Sequence, residues 1–269
     1  MLYLRFDLSQ AEDRIVKVLS HDAELIELAR KKPWEFDVHR FNGAIVFDKD
    51  ISLVSKAERQ GSKRVVHASN YDAQPERLSD ALLDDGFIVS PSNCAVAQGR
   101  YHSRFPAIRN GYQLRTRMLV IQNRCLEGRD GFRIEFKYER LDGSLFRRAY
   151  AWRPQHFIGT HLNQNGVIPA WAFINKNGLN SRIDFQVHDE IAIAVPDVTE
   201  AWDLARLLHE TLEAEKEYEG ERLSIPADCC LETRYHGREA LGEVTEFKRF
   251  PEQGDFNDAF RELWSRRVA

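Results

Sequence analysis

Two carboxylates stand side by side in Phe185-Gln186-Val187-His188-Asp189-Glu190-Ile191-Ala192-Ile193-Ala194-Val195-Pro196. Apolar residues alternate on both sides of the polar centre, the pattern of two short strands meeting at a tight turn. Phe185, Val187, Ile191, Ile193 and Val195 would be the buried positions, and His188, Asp189 and Glu190 would share the tip. Asp is a common turn residue, so a hairpin alone needs no chemical purpose. Adjacent carboxylates repel each other, however, unless a cation or solvent takes up their charge. A rigid acidic tip therefore suits a metal ion, and hard divalent cations want several oxygens, so a further carboxylate has to come from elsewhere. Asp7 is the candidate, because it ends a strand in which Leu2, Leu4 and Phe6 alternate with Tyr3 and Arg5. Ser9 and Glu12 have a local explanation as a capping box on the following helix. Asp7 has none.

A second constellation is cationic. Arg59, Lys63, His67 and Tyr71 are each four residues apart. On a helix capped by Ser52 or Ser55 and running to Asn70 they form one slowly drifting stripe, roughly 18 Å long. Solvation explains Lys and Arg on such a face, but not an aromatic at its end. A triphosphate needs cations along its length, and a base needs a flat apolar partner to stack on.

Asp7-Leu8-Ser9-Gln10-Ala11-Glu12-x-Arg14 resembles the first catalytic motif of the family A DNA polymerases, the DNA polymerase I family, in particular the bacteriophage versions. Gln186-Val187-His188-Asp189-Glu190 resembles the last catalytic motif, and Arg59-x-x-x-Lys63-x-x-x-His67-x-x-x-Tyr71 the nucleotide-binding helix of the fingers. The motifs stand in the family's order, and the resemblance covers nearly the whole chain. It implies template-directed DNA synthesis by two-metal nucleotidyl transfer from a dNTP to a primer 3'-hydroxyl. Asp7 and Asp189 would bridge two Mg²⁺ ions, with the Leu8 carbonyl completing one site and Mn²⁺ able to substitute. Lys63 would be general acid to the leaving group, and Glu190 an auxiliary catalytic group. Gln10, Glu12, His39, Arg59, Lys63, His67 and Tyr71 would bind nucleotide, with Glu12 as a steric gate against a 2'-hydroxyl. Arg148, Gln155 and His188 would contact DNA, the first two at minor-groove acceptors that every base pair presents. Two positions depart from the family's usual pattern, which has an aromatic at His67 and Gly at Asp72.

The fold implied is α+β. An antiparallel palm sheet with helices on one face would use residues 1-22 and 145-269, and a mostly helical fingers subdomain residues 23-144, with thumb and exonuclease domain absent. The resemblance therefore implies the C-terminal catalytic part of a split or truncated polymerase. Its partners would be primer-template DNA, dNTP and a separate N-terminal chain carrying thumb and exonuclease. The alternative is a non-catalytic remnant that binds DNA or nucleotide without polymerising.

Periodicity and turn residues position these groups. Helices are expected over 11–31 with a break near Ser20-His21-Asp22, over 76–101 with a stop at Gly86, and from Phe105 to near Asn123. A hairpin is expected from 133–138 and 144–148, closed around Leu141-Asp142-Gly143. Helices should follow over 154–167, 199–218 and 256–264, with a strand starting at Leu223-Ser224-Ile225-Pro226 and palm structure at Gly242-Glu243-Val244. The hydrophobic fraction of 43% is ordinary for a globular protein. No apolar run approaches the roughly 18 residues that span a bilayer, which argues against membrane partners. The N-terminus carries no secretory pattern. Cys94, Cys125, Cys229 and Cys230 form no C-x-x-C pair, which points to a reduced, cytoplasmic protein of a bacterium or phage-infected host. The net charge of -4 hides an asymmetry: residues 100–153 carry 13 Lys or Arg against 5 Asp or Glu, and residues 184–232 carry 3 against 14. A basic stretch beside an acidic one suits gripping phosphates in one place and concentrating cations in another.

Overall fold

The alternation at the N-terminus acts as its pattern dictates: Leu2, Leu4, Phe6 and Leu8 are buried, while Tyr3, Arg5 and Asp7 are only partly covered. The structure, a computed structural model, describes residues 1–234, 243–247 and 249–268. The chain begins with β1 (Leu2–Leu8), α1 (Ala11–Ser20), α2 (Ala23–Arg30), α3 (Val38–Phe47), α4 (Lys56–Asn70), α5 (Pro75–Asp84) and α6 (Pro91–Arg104). A π-helical stretch (Ile108–Gln113) leads into α7 (Leu114–Asn123), then β2 (Cys125–Glu127), β3 (Arg133–Glu135) and α8 (Gly143–Leu162). A second π-helical stretch (Asn163–Val167) leads into α9 (Ile168–Asn177), β4 (Arg182–Val187), β5 (Glu190–Val195) and α10 (Val198–Leu212). The last elements are β6 (Lys216–Tyr218), β7 (Glu221–Leu223), β8 (Ala227–Glu232), β9 (Val244–Phe247) and α11 (Gln253–Val268). Among the described residues no helix is long and apolar enough to cross a membrane.

Two compact units result. One comprises Met1–Ala11, Ile158–Glu217 and Arg222–Ala269; the other Glu12–Phe157 and Tyr218–Glu221. Residues 12–22 and 145–157 thus fall in the second unit, whereas the palm expected from sequence includes them.

The first unit is built on a five-stranded sheet in the order β4-β5-β1-β8-β9, every described pairing antiparallel. Helix α10 packs on β1, β5 and β8, α9 on β4, and α11 on β8 and α10. Ala201, Leu204, Ala205, Leu208 and Leu212 of α10 are buried, as are the four apolar residues of β1. Each large apolar side chain so buried contributes roughly 1.5–3 kcal/mol, which fixes one face of β1 and leaves the other for polar groups. Strand β5 is buried throughout, whereas Phe185 and Val187 of β4 are 41% and 42% exposed. Alternation made both buried; among the described residues β4 is an edge strand of this sheet, with no strand paired on its outer side.

The second unit is mostly helical, with a core of Val46, Val65, Ala68, Leu78, Leu82 and Cys94. The break between α1 and α2 falls at His21, in the left-handed region at φ 53°, and Asp22 caps α2 through Leu25 N–H. Ser55 caps α4, and Glu58 returns to the Ser55 backbone in a full capping box. Gly86 ends the next helical region at φ +85°.

Several expected elements are corrected. The hairpin pairs β2 with β3 and is closed by Gly128–Gly131, with Gly131 at φ +80°. Residues 144–148 belong to α8, because the Asp142 carboxylate accepts the Ser144 and Leu145 N–H groups and starts a helix there. That helix runs through Pro154, so the helix expected from residue 154 is its second half and continuation. Helix α10 stops at Leu212, and 216–218 form β6. Ser9, expected as the cap of the first helix, sends its N–H to the Pro226 carbonyl and its hydroxyl to Asp228, and α1 starts at Ala11. Gly242 lies outside the described residues.

Candidate active site

In the sheet unit, Asp7 is paired with Glu190 on β5 and with Asp228 on β8. Directly opposed residues of antiparallel strands share a face. Glu190, Asp7 and Asp228 therefore form a row across three strands, on the face opposite Leu2, Leu4, Phe6 and Leu8. Asp189 sits in the turn between β4 and β5 after His188, whose φ of 54° makes the reversal tight. The Asp189 carbonyl accepts the Leu8 N–H at 3.0 Å, which ties the turn to the end of β1. Partial burial, then the charge of Asp189, and those of Glu190 and Asp228, push the Asp7 carboxyl up to about 7, against the pull of Arg5. Burial also raises Asp228, against a 2.8 Å hydrogen bond from Ser9 Oγ. Glu190, expected at the turn tip, is instead the first residue of β5 and is buried beside Arg5.

Like charges gathered this way oppose ionisation, and a divalent ion between them would reverse the effect. Among the described residues no three His, Cys, Asp or Glu side chains converge as a ready-made metal cage. Mg²⁺ does not require one, since it is commonly held by one or two carboxylates with substrate phosphates and water. The hard oxygens of Asp7 and Asp189 fit that chemistry.

In the helical unit, Arg59, Lys63 and His67 lie on α4, and Tyr71 is its C-terminal cap. Arg59 Nε donates to Asp37 at 2.7 Å, and Asp37 also caps α3 through the Arg40 N–H. Burial, then the neighbouring Arg59, lowers the Lys63 pKa. Burial, then Lys63, holds His39 down at about 4. Cations crowded together resist charging, the mirror image of the carboxylate row, and an anion would relieve them.

Glu12 collects the remaining groups. Tyr71 Oη donates to its Oε2 at 2.5 Å, His67 Nε2 lies 3.3 Å from the same oxygen, and Gln155 Nε2 donates to Oε1 at 3.4 Å. Burial opposes charge on Glu12, but the contacts from His67 and Tyr71 outweigh it and hold the carboxylate below its usual range. The His67 and Tyr71 rings meet edge to face at 4.9 Å between centroids. Burial, then Glu12, pushes the Tyr71 hydroxyl up, so it stays a donor.

The structure thus brings Asp7, Leu8, Asp189 and Glu190 together in one unit, and groups Glu12, His67, Tyr71 and Gln155 in the other, where His39 and Lys63 adjoin Arg59. Gln10 links β1 to α1 at φ 57°. Arg148 is engaged with Glu139 through two 2.8 Å bonds. Sequence reasoning passed over Arg5, Asp228 and Glu232. Arg5 did carry a signal: it lies two residues before Asp7, hence on the same strand face.

Residues 1–141 match the profile of DNA polymerase family A. The chain is 24% identical over 224 residues to a DNA polymerase of Bacillus phage SP01, covering 80% of this chain and 23% of that protein. It is 27% identical over 202 residues to a DNA polymerase I of Caldicellulosiruptor bescii, covering 71% and 22%. In structure it is similar to the POL domain of Pol1 from M. smegmatis, solved in complex with DNA primer-template and dNTP. The TM-score is 0.67 at 22% identity, over 93% of this chain and 40% of that one, a likeness of fold. The chain spans about a fifth to a quarter of the curated relatives it matches.

Proposed function

Because the chain belongs to DNA polymerase family A, we propose that it carries the nucleotidyl-transfer site of template-directed DNA synthesis, joining a dNTP to a primer 3'-hydroxyl. The observation that carries this reading is the row Glu190–Asp7–Asp228 with Asp189 tied to the end of β1. Asp7 and Asp189, with the Leu8 carbonyl, would hold two Mg²⁺ ions, or Mn²⁺ in their place. When bound, such ions stabilise charge on the attacking and leaving oxygens.

The chain's own residues do the rest. Arg59 and Lys63 hold the triphosphate. Lys63, its pKa lowered by burial, is better able to give a proton to the leaving pyrophosphate. His39, neutral at pH 7, offers a hydrogen bond to phosphate rather than a charge. Glu12, kept ionised by its donors, fills the space a 2'-hydroxyl needs and so selects deoxynucleotides. Tyr71 and His67 give the base and sugar a surface to pack on. Glu190 acts as an auxiliary group, Gln10 lines the nucleotide, and Arg148, Gln155 and His188 contact the primer-template. Residues 1-22 and 145-269 serve as palm and 23-144 as fingers. Polymerase functions such as thumb and exonuclease come from outside these residues, on a separate N-terminal chain, in the cytoplasm of a bacterium or phage-infected host.

Primer extension on a recessed template with Mg²⁺ and dNTPs tests the proposal, comparing the native chain with Asp189→Ala, each with and without the polypeptide encoded upstream. Extension by the native chain, alone or with that polypeptide, that disappears in Asp189→Ala is the expected result. Silence under both conditions would mean a remnant that binds without polymerising.

A further inference from the structure

Arg5 lies at the centre of the carboxylate face. It is paired with Ala192 on β5 and Cys230 on β8, two small side chains that leave room for a guanidinium between the strands. Its Nε donates to Glu232 Oε1 at 2.6 Å. Its Nη1 is 3.4 Å from Glu190 Oε2 and 3.5 Å from Asp7 Oδ2, and its Nη2 is 3.4 Å from Cys230 Sγ. One cation thus faces three carboxylates, but unequally. The side chains of Glu232 and Glu190 are 5% and 11% exposed, whereas that of Asp7 is 41% exposed. The hydrogen bonds go to the two covered acids, Glu232 and Glu190, and the open Asp7 meets the guanidinium as an ion pair.

We propose that Arg5 is a positioning residue that sorts these carboxylates. It occupies Glu232 and Glu190, keeps both out of the set of oxygen ligands, and leaves Asp7 and Asp189 to take cations. This rests on the metal reading above. A fixed internal cation also limits how many divalent ions the acidic face can collect, since each added ion meets its charge at short range. A purely structural Arg5 would only neutralise Glu232, and the number and affinity of bound ions would not depend on it.

Breaking a buried pair by removing one partner leaves an uncompensated charge and endangers folding, whereas removing both charges together is far milder. The variant of choice is therefore Arg5→Gln with Glu232→Gln, checked for native circular dichroism. The probe is Mn²⁺ alone, with the free ion read by electron paramagnetic resonance on the full chain. Asp189→Ala is expected to weaken native binding. The double variant removes one positive and one negative charge, so the net charge of the face is kept. It is expected to bind Mn²⁺ about tenfold more tightly or to take an additional ion, because the Glu190 carboxylate, released from Arg5, can join the oxygen ligands. Adding Glu190→Gln should return binding to the native level, and Arg5→Lys should stay close to native. If Asp189→Ala leaves native binding unchanged, the metal reading fails and the role of Arg5 falls with it. If Asp189→Ala weakens binding but the double variant matches native, only the role of Arg5 is overturned.

Discussion

Glu12 has three donors, and their geometry says which one matters most. The Tyr71 hydroxyl at 2.5 Å is closer than His67 at 3.3 Å or Gln155 at 3.4 Å. A hydrogen bond to a charged group is worth roughly 1.5–3 kcal/mol. If Glu12 selects the sugar as proposed above, Tyr71→Phe is expected to loosen it and raise ribonucleotide incorporation modestly, with Glu12→Ala raising it further. Competitive incorporation of ribo- and deoxynucleotides by the assembled polymerase measures both; an unchanged ratio in Glu12→Ala removes Glu12 from sugar selection. Legibility at this scale was uneven for a physical reason. Asp189 and Glu190 are neighbours in sequence, and Asp7 stands out at the end of an apolar strand, so their types alone suggested cation chemistry. Asp228 gains its meaning from lying opposite Asp7, and Arg5 from lying between β5 and β8. Register between distant strands is set by packing and turns, which no local window contains.

Helix α4 shows the opposite case, an element written into its own sequence. Its stripe and its end were readable, and the reciprocal cap of Ser55 and Glu58 decides the start that the sequence left between Ser52 and Ser55. Ser55→Ala is expected to lower stability by about 1 kcal/mol. Just past its end, Asp72 lies in the left-handed region at φ 55°. Non-glycine residues there carry up to about 1–2 kcal/mol of strain, less for Asp. Asp72→Gly should therefore be neutral or mildly stabilising and Asp72→Val destabilising, with urea unfolding ranking the three; a more stable Val variant would contradict the backbone argument. Gly111 is constrained from outside instead, because a Cβ there would sit 2.7 Å from the Ser20 carbonyl oxygen. Gly111→Ala is expected to cost roughly 1–3 kcal/mol by overpacking, read in the same unfolding series. Helix α8 was misread where signals competed. The turn residues at 141–143 invited a hairpin, and the cap formed by Asp142 makes them a helix start instead.

For the molecule as a whole, pH acts through groups whose shifts have opposite signs. Burial holds His102 and His161 down at about 4, well below the usual imidazole value. Between about pH 6.5 and 4 the unfolded chain binds protons at these positions and the native chain does not, so stability falls as the solution is acidified through that window. A shift of this size corresponds to at most about 3 kcal/mol for one buried His. Asp7, pushed up to about 7, works the other way: above the ordinary carboxylate range the unfolded chain has lost this proton and the native chain retains it. Its contribution therefore declines as pH rises from about 4 to 7 and stays low beyond. The two can be separated by substitution. Among the described residues neither ring nitrogen of His102 has a hydrogen-bond partner, so His102→Leu should flatten the acid limb without loss at pH 7. His161 Nε2 contacts the Leu212 carbonyl at 3.0 Å, so His161→Leu should flatten the same limb and also lose about 1 kcal/mol at pH 7. Asp7→Asn should leave the acid limb of the histidines and remove the decline toward neutrality. Thermal unfolding from pH 4 to 8 in a chelator measures all three, and an acid limb undiminished when His102 and His161 are replaced together would show that other groups, His39 among them, carry it.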